Sequence, residues 1–97
     1  MDYIFEIIDK TCRKIHLTHE RLIHISEHKG MENYIEDIKE VIMKPDKIIP
    51  HNHGDLYDYY KYFKHRKSHL KYLMVVVKYL NGKGFVLTAY FVPRITY

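Results

Sequence analysis

The stretch that decides the fold runs from residue 70 to residue 91 and reads LKYLMVVVKYL, then NGKG, then FVLTAYF. β-branched and aromatic residues dominate both arms, and the link between them carries the pair Asn81-Gly82. This pattern predicts a β-hairpin. Because residues 73–77 are apolar on both faces of the pleat, we expect the first arm to be a central strand that is covered on both sides.

The chain before the hairpin predicts two amphipathic helices, residues 18–28 and 32–43, with apolar residues at helical spacing. Thr18 is a good N-cap for the first helix, Gly30 is expected to end it, and Pro45 to stop the second. Early helices and mostly late strands favour an α+β fold, with two helices on one face of an antiparallel sheet of about four strands. A short N-terminal strand or hairpin is expected before the helices. The other strands are predicted at residues 2–8, 13–17, 46–49, 56–64 and, as an edge strand, 92–97.

The composition is typical of one small globular domain, which we take to span residues 1–97. The chain is 46% hydrophobic and 29% charged, which argues against disorder. Its formal net charge of +4, together with eight histidines, favours an anionic partner. Cys12 is the only cysteine, so no intrachain disulfide can form, which fits a cytoplasmic location. No apolar run approaches the roughly 20 residues of a membrane-spanning helix, so no membrane partner is expected.

Arg21, His24 and His28 are spaced i, i+3 and i+7, so they are predicted to line one stripe of the first helix. Cleaving RNA through its own 2′-hydroxyl needs a base to take that proton, an acid to protonate the leaving oxygen, and cations to stabilise the phosphorane. Two histidines and an arginine supply these groups without a metal ion. The alternative is a solvated polar stripe on an amphipathic helix.

A metal site is a competing interpretation of the same histidines. His24 and His28 have the i, i+4 spacing that can place two imidazoles on one ion. The helical zinc-protease motif, however, needs Glu directly after the first histidine, where this chain has Ile25. The candidates for a third ligand are His19, His51 and His53.

Residues 56–64 interleave tyrosine with lysine and are followed by the basic segment 65–67. Cations for phosphates and rings for bases are typical of a nucleic-acid face. The alternative is an ordinary strand with tyrosine on one face and lysine at an edge. Thr88 and Tyr90 lie late in the second hairpin arm, with Arg94 just beyond, and by themselves they indicate only a strand.

Five short motifs follow one another along nearly the whole chain. They are Ile-x-Leu-Thr-x-Glu-Arg and its two histidines (residues 15–28), Pro-Asp-x-Ile (45–48), Tyr-Tyr-Lys (59–61), Tyr-Leu-x-Val-Val-Val-Lys (72–78) and Val-x-Thr-Ala-Tyr (86–90). Each motif is unspecific alone, but the ordered set resembles the phage-type barnase–EndoU–colicin–RelE-like (BECR-fold) nuclease domains. That resemblance implies a compact α+β fold with a curved antiparallel sheet. It also implies metal-independent cleavage of RNA by a toxin or phage effector, with no cofactor.

The resemblance also suggests partners and site residues. RNA is the expected partner, and an antitoxin or immunity protein is a further one. The family commonly has Pro-Glu after the second histidine, where this chain has Lys29-Gly30, so the carboxylate that the family has two residues after this histidine is missing. The alternative function is a non-catalytic RNA- or partner-binding domain of the same fold. The candidate catalytic residues are Arg21, His24, His28, Tyr60, Lys61 and Thr88, and the candidate substrate-binding residues are Tyr59, Lys64, Arg66, Lys78, Tyr90 and Arg94.

Overall fold

The computed structural model describes residues 3–51 and 54–97, and within them two helices pack against a β-sheet. The helices lie between the N-terminal strands and the later ones, so the fold is α+β. In chain order the elements are β1 (Phe5–Ile8), β2 (Lys14–Leu17), α1 (His19–Ile25), a 3₁₀ turn (Met31–Tyr34), α2 (Ile35–Met43), β3 (Lys47–Pro50), β4 (Leu56–Tyr62), β5 (Tyr72–Leu80) and β6 (Lys83–Val92).

The two longest strands, β5 and β6, pair antiparallel along their lengths, which confirms the predicted hairpin. Asn81 and Gly82 in the link have positive φ angles of 53° and 81°. Positive φ at both central residues is what a two-residue type I′ turn requires, and Asn-Gly adopts it at little cost. β5 lies between β4 and β6, so the first arm is a central strand as predicted.

Across the described residues the strands form one six-stranded mixed sheet in the order β1-β2-β6-β5-β4-β3. The prediction of about four antiparallel strands is therefore wrong. The N-terminal hairpin β1–β2 extends the sheet at the edge of β6 that does not pair with β5, and β2 runs parallel to β6. Gly84 faces Ile15 in that pairing, and a Cβ on Gly84 would overlap Ile15 Cδ1 and lie 3.0 Å from Tyr79 Cε1. This close approach joins residues that are far apart in sequence, so local patterns do not predict it.

The side chains of β5 divide between two faces of the sheet. Leu73, Val75 and Val77 are fully buried in the core beneath the helices, on what we call the helix face. Met74 points to the opposite side, the outer face, and is only 8% exposed. The arm is therefore fully covered on the helix face, whereas on the outer face Met74 is covered and Val76 is only half-buried, so the predicted cover on both sides is incomplete.

The last residues of the chain cover part of the outer face. Tyr60 is only 2% exposed, and the backbone of Thr96 lies against its hydroxyl. The ring of Tyr97 has its centroid 5.4 Å from Nζ of Lys47 on β3. The predicted edge strand at residues 92–97 is wrong, because β6 ends at the first of these residues. A proline follows directly and has no N–H for a further ladder bond, so the tail crosses the outer face instead.

α1 begins where predicted, because the Thr18 side-chain oxygen accepts a 3.1 Å hydrogen bond from the Arg21 backbone N–H. The helix ends at Ile25, three residues before the predicted end, and turns lead on to Gly30, whose φ is 82°. The second helical segment starts as the 3₁₀ turn and continues as α2 to Met43, its predicted end. None of the helices in the described ranges combines the length and apolarity that crossing a membrane requires.

A buried carboxylate ties the turn after β1 to the sheet. Asp9 is 5% exposed and accepts hydrogen bonds from the hydroxyls of Tyr59 and Tyr79, the latter at 2.6 Å. The backbone N–H groups of Thr11 and Arg13 donate to Asp9 Oδ1, each at 2.9 Å. Burial by itself raises the pKa of Asp9, but these hydrogen bonds outweigh it and hold the pKa below its ordinary value. The ionised carboxylate is therefore a structural part of the fold.

Candidate functional site

α1 lies beside the part of β6 that β2 does not cover. β2 pairs with β6 only as far as Phe85, and α1 follows at once because Thr18 caps it directly after β2. The register between β5 and β6 skips Leu87, which marks a bulge in β6. Arg21 of α1 reaches this bulge, and its Nε and Nη2 donate to the Leu87 carbonyl oxygen at 3.0 and 2.6 Å. The arginine thereby satisfies a backbone acceptor and fixes the helix against the strand.

The two candidate histidines of the predicted stripe have different surroundings. The His28 ring stacks on Tyr90, with ring centroids 4.7 Å apart and planes 29° from parallel. The His24 side chain is 45% exposed, and its Nδ1 lies 3.6 Å from Glu27 Oε1. Because α1 ends at Ile25, the chain leaves the helical path between the two histidines. The stripe therefore divides, and His28 is the histidine that meets the sheet.

The strand register puts three candidate residues on the outer face. Tyr60 and Tyr90 both face Met74, and Thr88 lies two residues before Tyr90, so it shares their side of the sheet. Thr88 is half-buried, whereas the tail covers Tyr60. Burial raises the pKa of the Tyr60 hydroxyl, and the hydrogen bond from the Thr96 backbone only partly offsets this. Tyr60 therefore shares the face of Thr88 but is closed to solvent.

Two other candidates point away from that face. Lys61 lies on the side opposite Tyr60, as neighbours in a strand must, and its Nζ donates to the Lys44 carbonyl at the end of α2 at 3.1 Å. Tyr59 is fully buried with its hydroxyl on Asp9, so its ring is not accessible to a ligand. The remaining basic candidates are spread over the molecule: Lys64 is exposed after β4, Lys78 is on the outer face, and Arg94 is exposed in the tail.

A cavity of about 250 Å³ brings three candidate residues together. His28, Arg66 and Tyr90 line it, and Lys29 adds a further basic side chain. We call this the cationic pocket. Its walls are completed by apolar groups, among them Phe91. Two permanent cations and an imidazole around one small cavity favour binding of an anion such as a phosphate group.

Arg66 is held rigidly at the border of this pocket. Its guanidinium carbon lies 3.5 Å from the centroid of the Phe91 ring, which is a close cation–π contact. Nε donates to the Leu70 carbonyl at 2.8 Å, and Nη1 donates to the Tyr34 hydroxyl at 3.1 Å. An arginine fixed in this way is pre-organised, so it loses little side-chain entropy when an anion binds.

A second, larger cavity of about 530 Å³ adjoins the cationic pocket, because Arg66 and Phe91 line both cavities. Its carboxylates, Asp37 and Glu40, project from α2. Burial raises the pKa of Asp37, Glu40 and Glu36 raise it further, and the charge of Arg66 opposes them. We call this cavity the aromatic pocket. Its other lining residues are Tyr34, Tyr62, Phe63, Lys64 and His65.

The sequence pattern does not single out the acidic side of the aromatic pocket. Asp37 and Glu40 are spaced as solvent-facing residues of α2, and their spacing predicts only a polar helix surface. Tyr34, Asp37 and Glu40 do, however, repeat at i, i+3 and i+6, which places an aromatic ring and two carboxylates on one helical face. That repeat is the signal that could have identified the pocket, although the loop that closes it comes from a distant part of the chain.

Among the described residues, no group of three or more His, Cys, Asp or Glu side chains is close enough to hold a metal ion. His19 and His51, two of the third-ligand candidates, therefore do not complete a site with His24 and His28. His51 instead has its Nε2 2.7 Å from Asp58 Oδ1. The remaining candidate, His53, lies outside the described residues.

Comparison with known protein families assigns the chain to a family of nucleases. The family model described as phage-Barnase-EndoU-ColicinE5/D-RelE like nuclease 2 matches residues 5–96. The match covers nearly the whole chain, so the protein belongs to this nuclease family, as the ordered motifs indicate. No curated protein and no solved structure matches the chain.

Proposed function

We propose that the protein is a small ribonuclease that cleaves RNA without a metal ion, by general acid–base chemistry at the cationic pocket. The observation that carries the proposal is the meeting of His28, Lys29, Arg66 and Tyr90 around one cavity in a member of a nuclease family. The pocket contains an imidazole and a tyrosine hydroxyl, which can serve as the base and the acid, and two cations for the phosphate, which are the parts that this reaction needs.

The proposed reaction uses the RNA's own 2′-hydroxyl as the nucleophile. A base removes its proton, the 2′-oxygen bonds to phosphorus, and the bond from phosphorus to the 5′-oxygen breaks as an acid protonates that oxygen. His28 is suited to be the base that takes the 2′-hydroxyl proton, because imidazole takes and gives protons near neutral pH. Arg66 and Lys29 offset the charge that grows on the phosphate oxygens. The Tyr90 hydroxyl is the acid that gives its proton to the leaving 5′-oxygen, and the stacking of its ring on His28 holds the imidazole in place.

Arg21 and Thr88 have supporting roles in this proposal. Arg21 is a positioning residue, because its guanidinium is occupied by the Leu87 carbonyl and keeps the bulge of β6 against α1. Thr88 follows the bulge on the face of Tyr90, where its hydroxyl can contact the RNA backbone. Lys29 stands where the family commonly has a proline, and Gly30 where it has a glutamate. This chain therefore brings the cation of Lys29 to the pocket and has no carboxylate at position 30.

The test is cleavage of a fluorescent single-stranded RNA in EDTA. We expect the wild-type protein to cut it, and His28→Ala to lower the rate by about 100-fold or more, the usual contribution of a general acid or base. His19→Ala is the matched control, because His19 is an exposed histidine at the start of α1. An oligonucleotide with a 2′-deoxy sugar at the cut site should remain intact, since it lacks the nucleophile.

Four results would count against the proposal. The proposal is refuted if RNA stays intact with the wild-type protein, or if His28→Ala cuts RNA as fast as the wild type does. Cutting of the 2′-deoxy substrate would show that the 2′-hydroxyl is not the nucleophile. Loss of activity in EDTA, with recovery on adding a divalent ion, refutes metal independence while leaving the nuclease assignment in place.

A non-catalytic RNA-binding domain is the second candidate function. It is favoured by one observation, that Arg21, Lys61 and Arg66 all donate to backbone carbonyls and so also serve the fold. Its signature is RNA binding that weakens steeply with salt and is not accompanied by cleavage. In either case we propose RNA in the cytoplasm as the main partner. As a toxin-like effector, the protein would also have an antitoxin or immunity protein as its second partner.

A further inference from the structure

We propose that the aromatic pocket is a subsite for one nucleobase of the RNA, and that it selects guanine. This inference deepens the proposed ribonuclease function and rests on it. It starts from a cavity of about 530 Å³, a size typical of small-ligand sites, directly beside the cationic pocket.

The lining of the aromatic pocket suits a flat aromatic ligand. Proteins that read single-stranded RNA stack splayed-out bases on aromatic rings and on arginine planes. Tyr34, Phe63 and Phe91 contribute rings here, and the Arg66 guanidinium lies on the Phe91 ring at 3.5 Å. Phe91 also has Tyr34 and Phe63 edge-on to it, with centroids 4.9 and 6.2 Å away. These contacts fix the walls of the pocket before any base enters.

The polar side of the pocket decides which base fits. Asp37 and Glu40 are one helical turn apart on α2, and an ionised carboxylate only accepts hydrogen bonds. Guanine presents two adjacent donors, N1–H and N2–H₂, which match the two oxygens of one carboxylate. Adenine and cytosine present an amine beside an acceptor nitrogen, and uracil presents one N–H between two carbonyls. Guanine is therefore the base whose edge pairs with a carboxylate without bringing an acceptor against it.

Arg66 and Phe91 connect the two pockets, because both residues line both cavities. A single nucleotide can then place its base against Asp37 and its phosphate against Lys29 and His28. Carboxylates alone would repel RNA, so the cations Lys64 and Arg66 at the same cavity are needed to keep its rim attractive to a phosphate chain. The base subsite and the phosphate subsite are thus two ends of one groove.

The test compares the binding of guanosine, inosine and uridine 3′-monophosphates to the full chain at pH 8, by titration calorimetry. Inosine lacks only the 2-amino group of guanine, so it isolates one hydrogen bond to the carboxylate. We expect guanosine to bind about tenfold or more tightly than inosine, which corresponds to about 1.4 kcal/mol, and uridine to bind no better than inosine. Asp37→Asn should remove most of the guanosine preference. Glu36→Gln is the matched control, because Glu36 is exposed on the same helix and does not line the pocket.

Equal affinities for the three nucleotides, or an unchanged preference in Asp37→Asn, would overturn the guanine subsite. If Asp37→Asn fails to fold, Glu40→Gln and the wild-type comparison of guanosine with inosine still decide the question. Failure of the ribonuclease proposal looks different: RNA stays intact while guanosine is still preferred. Conversely, RNA that is cut equally after every base would support the ribonuclease proposal and refute the guanine subsite.

Discussion

Replacing Tyr59 with phenylalanine tests whether the buried Asp9 cluster holds the fold together. Tyr59 is fully buried, and its hydroxyl donates to the Asp9 carboxylate, which the Tyr79 hydroxyl also contacts at 2.6 Å. Phenylalanine keeps the ring and its packing, so the substitution removes one hydrogen-bond donor and creates almost no cavity. The cluster joins the turn after β1 to the central strands β4 and β5, so weakening it should destabilise the whole domain.

The size of the effect follows from the charge of the acceptor. A hydrogen bond to a charged group contributes about 1.5–3 kcal/mol, and removing one partner leaves the buried carboxylate less well solvated. We therefore expect Tyr59→Phe to lower the free energy of unfolding by about 2 kcal/mol. For a domain of this length, that corresponds to a fall in Tm of about 8–16 °C.

The effect of Tyr59→Phe on stability should also depend on pH, in a direction that the pKa of Asp9 sets. The pKa of Asp9 is lower in the folded protein than its ordinary value of 3.8, so the carboxylate contributes stability that is complete above pH 3.8. This stability is lost as the pH falls through the lower folded pKa, when Asp9 takes up a proton. The destabilisation by Tyr59→Phe should accordingly be constant near neutral pH and shrink below pH 3.8.

The assay is urea unfolding of the wild type and variants at several pH values. Tyr79→Phe should be destabilising by a smaller amount, because Tyr79 is more exposed than Tyr59. Tyr62→Phe is the control, since Tyr62 is 45% exposed and substitutions at such surface positions usually change stability by less than about 0.5 kcal/mol. A Tyr59→Phe effect no larger than that of Tyr62→Phe, or one that is unchanged in acid, would refute this account of Asp9.

Two further substitutions test the sheet and the site. Gly84→Ala should destabilise the protein by about 1–3 kcal/mol, because the new Cβ overlaps Ile15 where β2 and β6 pair. A thermal melt measures it, and a melt within 2 °C of the wild type would mean that the strands are not in close contact there. Arg66→Lys keeps the charge but loses the planar stacking on Phe91. RNA cleavage should fall about tenfold or more, and an unchanged rate would show that charge alone suffices.

The hairpin was predictable because its signals are local. Runs of β-branched and aromatic residues and the pair Asn81-Gly82 specify both strands and the turn within about twenty residues. The start of α1 was predictable for the same reason, since the Thr18 cap acts only on the next turn of helix. By contrast, the parallel pairing of β2 with β6 joins residues almost seventy positions apart, and the absence of a Gly84 side chain becomes meaningful only when Ile15 is beside it.

The candidate site was only partly predictable. The chemistry of His28, Arg66 and Tyr90 predicts a role for each of them in the site, and the structure brings them around one cavity. The motif that joins Lys61 to Tyr60 predicts one site for both, yet the alternation of a strand sends neighbouring side chains to opposite faces. The ring of Tyr59 predicts a binding residue, but it is fully buried with its hydroxyl on Asp9. The roles of all these residues in binding or catalysis stay predictions until the proposed measurements are made.

The sequence by itself determined the secondary structure around the hairpin, the α+β class and the family to which the chain belongs. These follow from local secondary-structure propensity and from the order in which the five motifs occur in the sequence. Only the tertiary structure decided which of the polar residues share a pocket, because that depends on how α1 lies along β6 and where the loop carrying Arg66 closes over Phe91. Contacts between distant segments depend on packing and register, and no spacing within one segment encodes them.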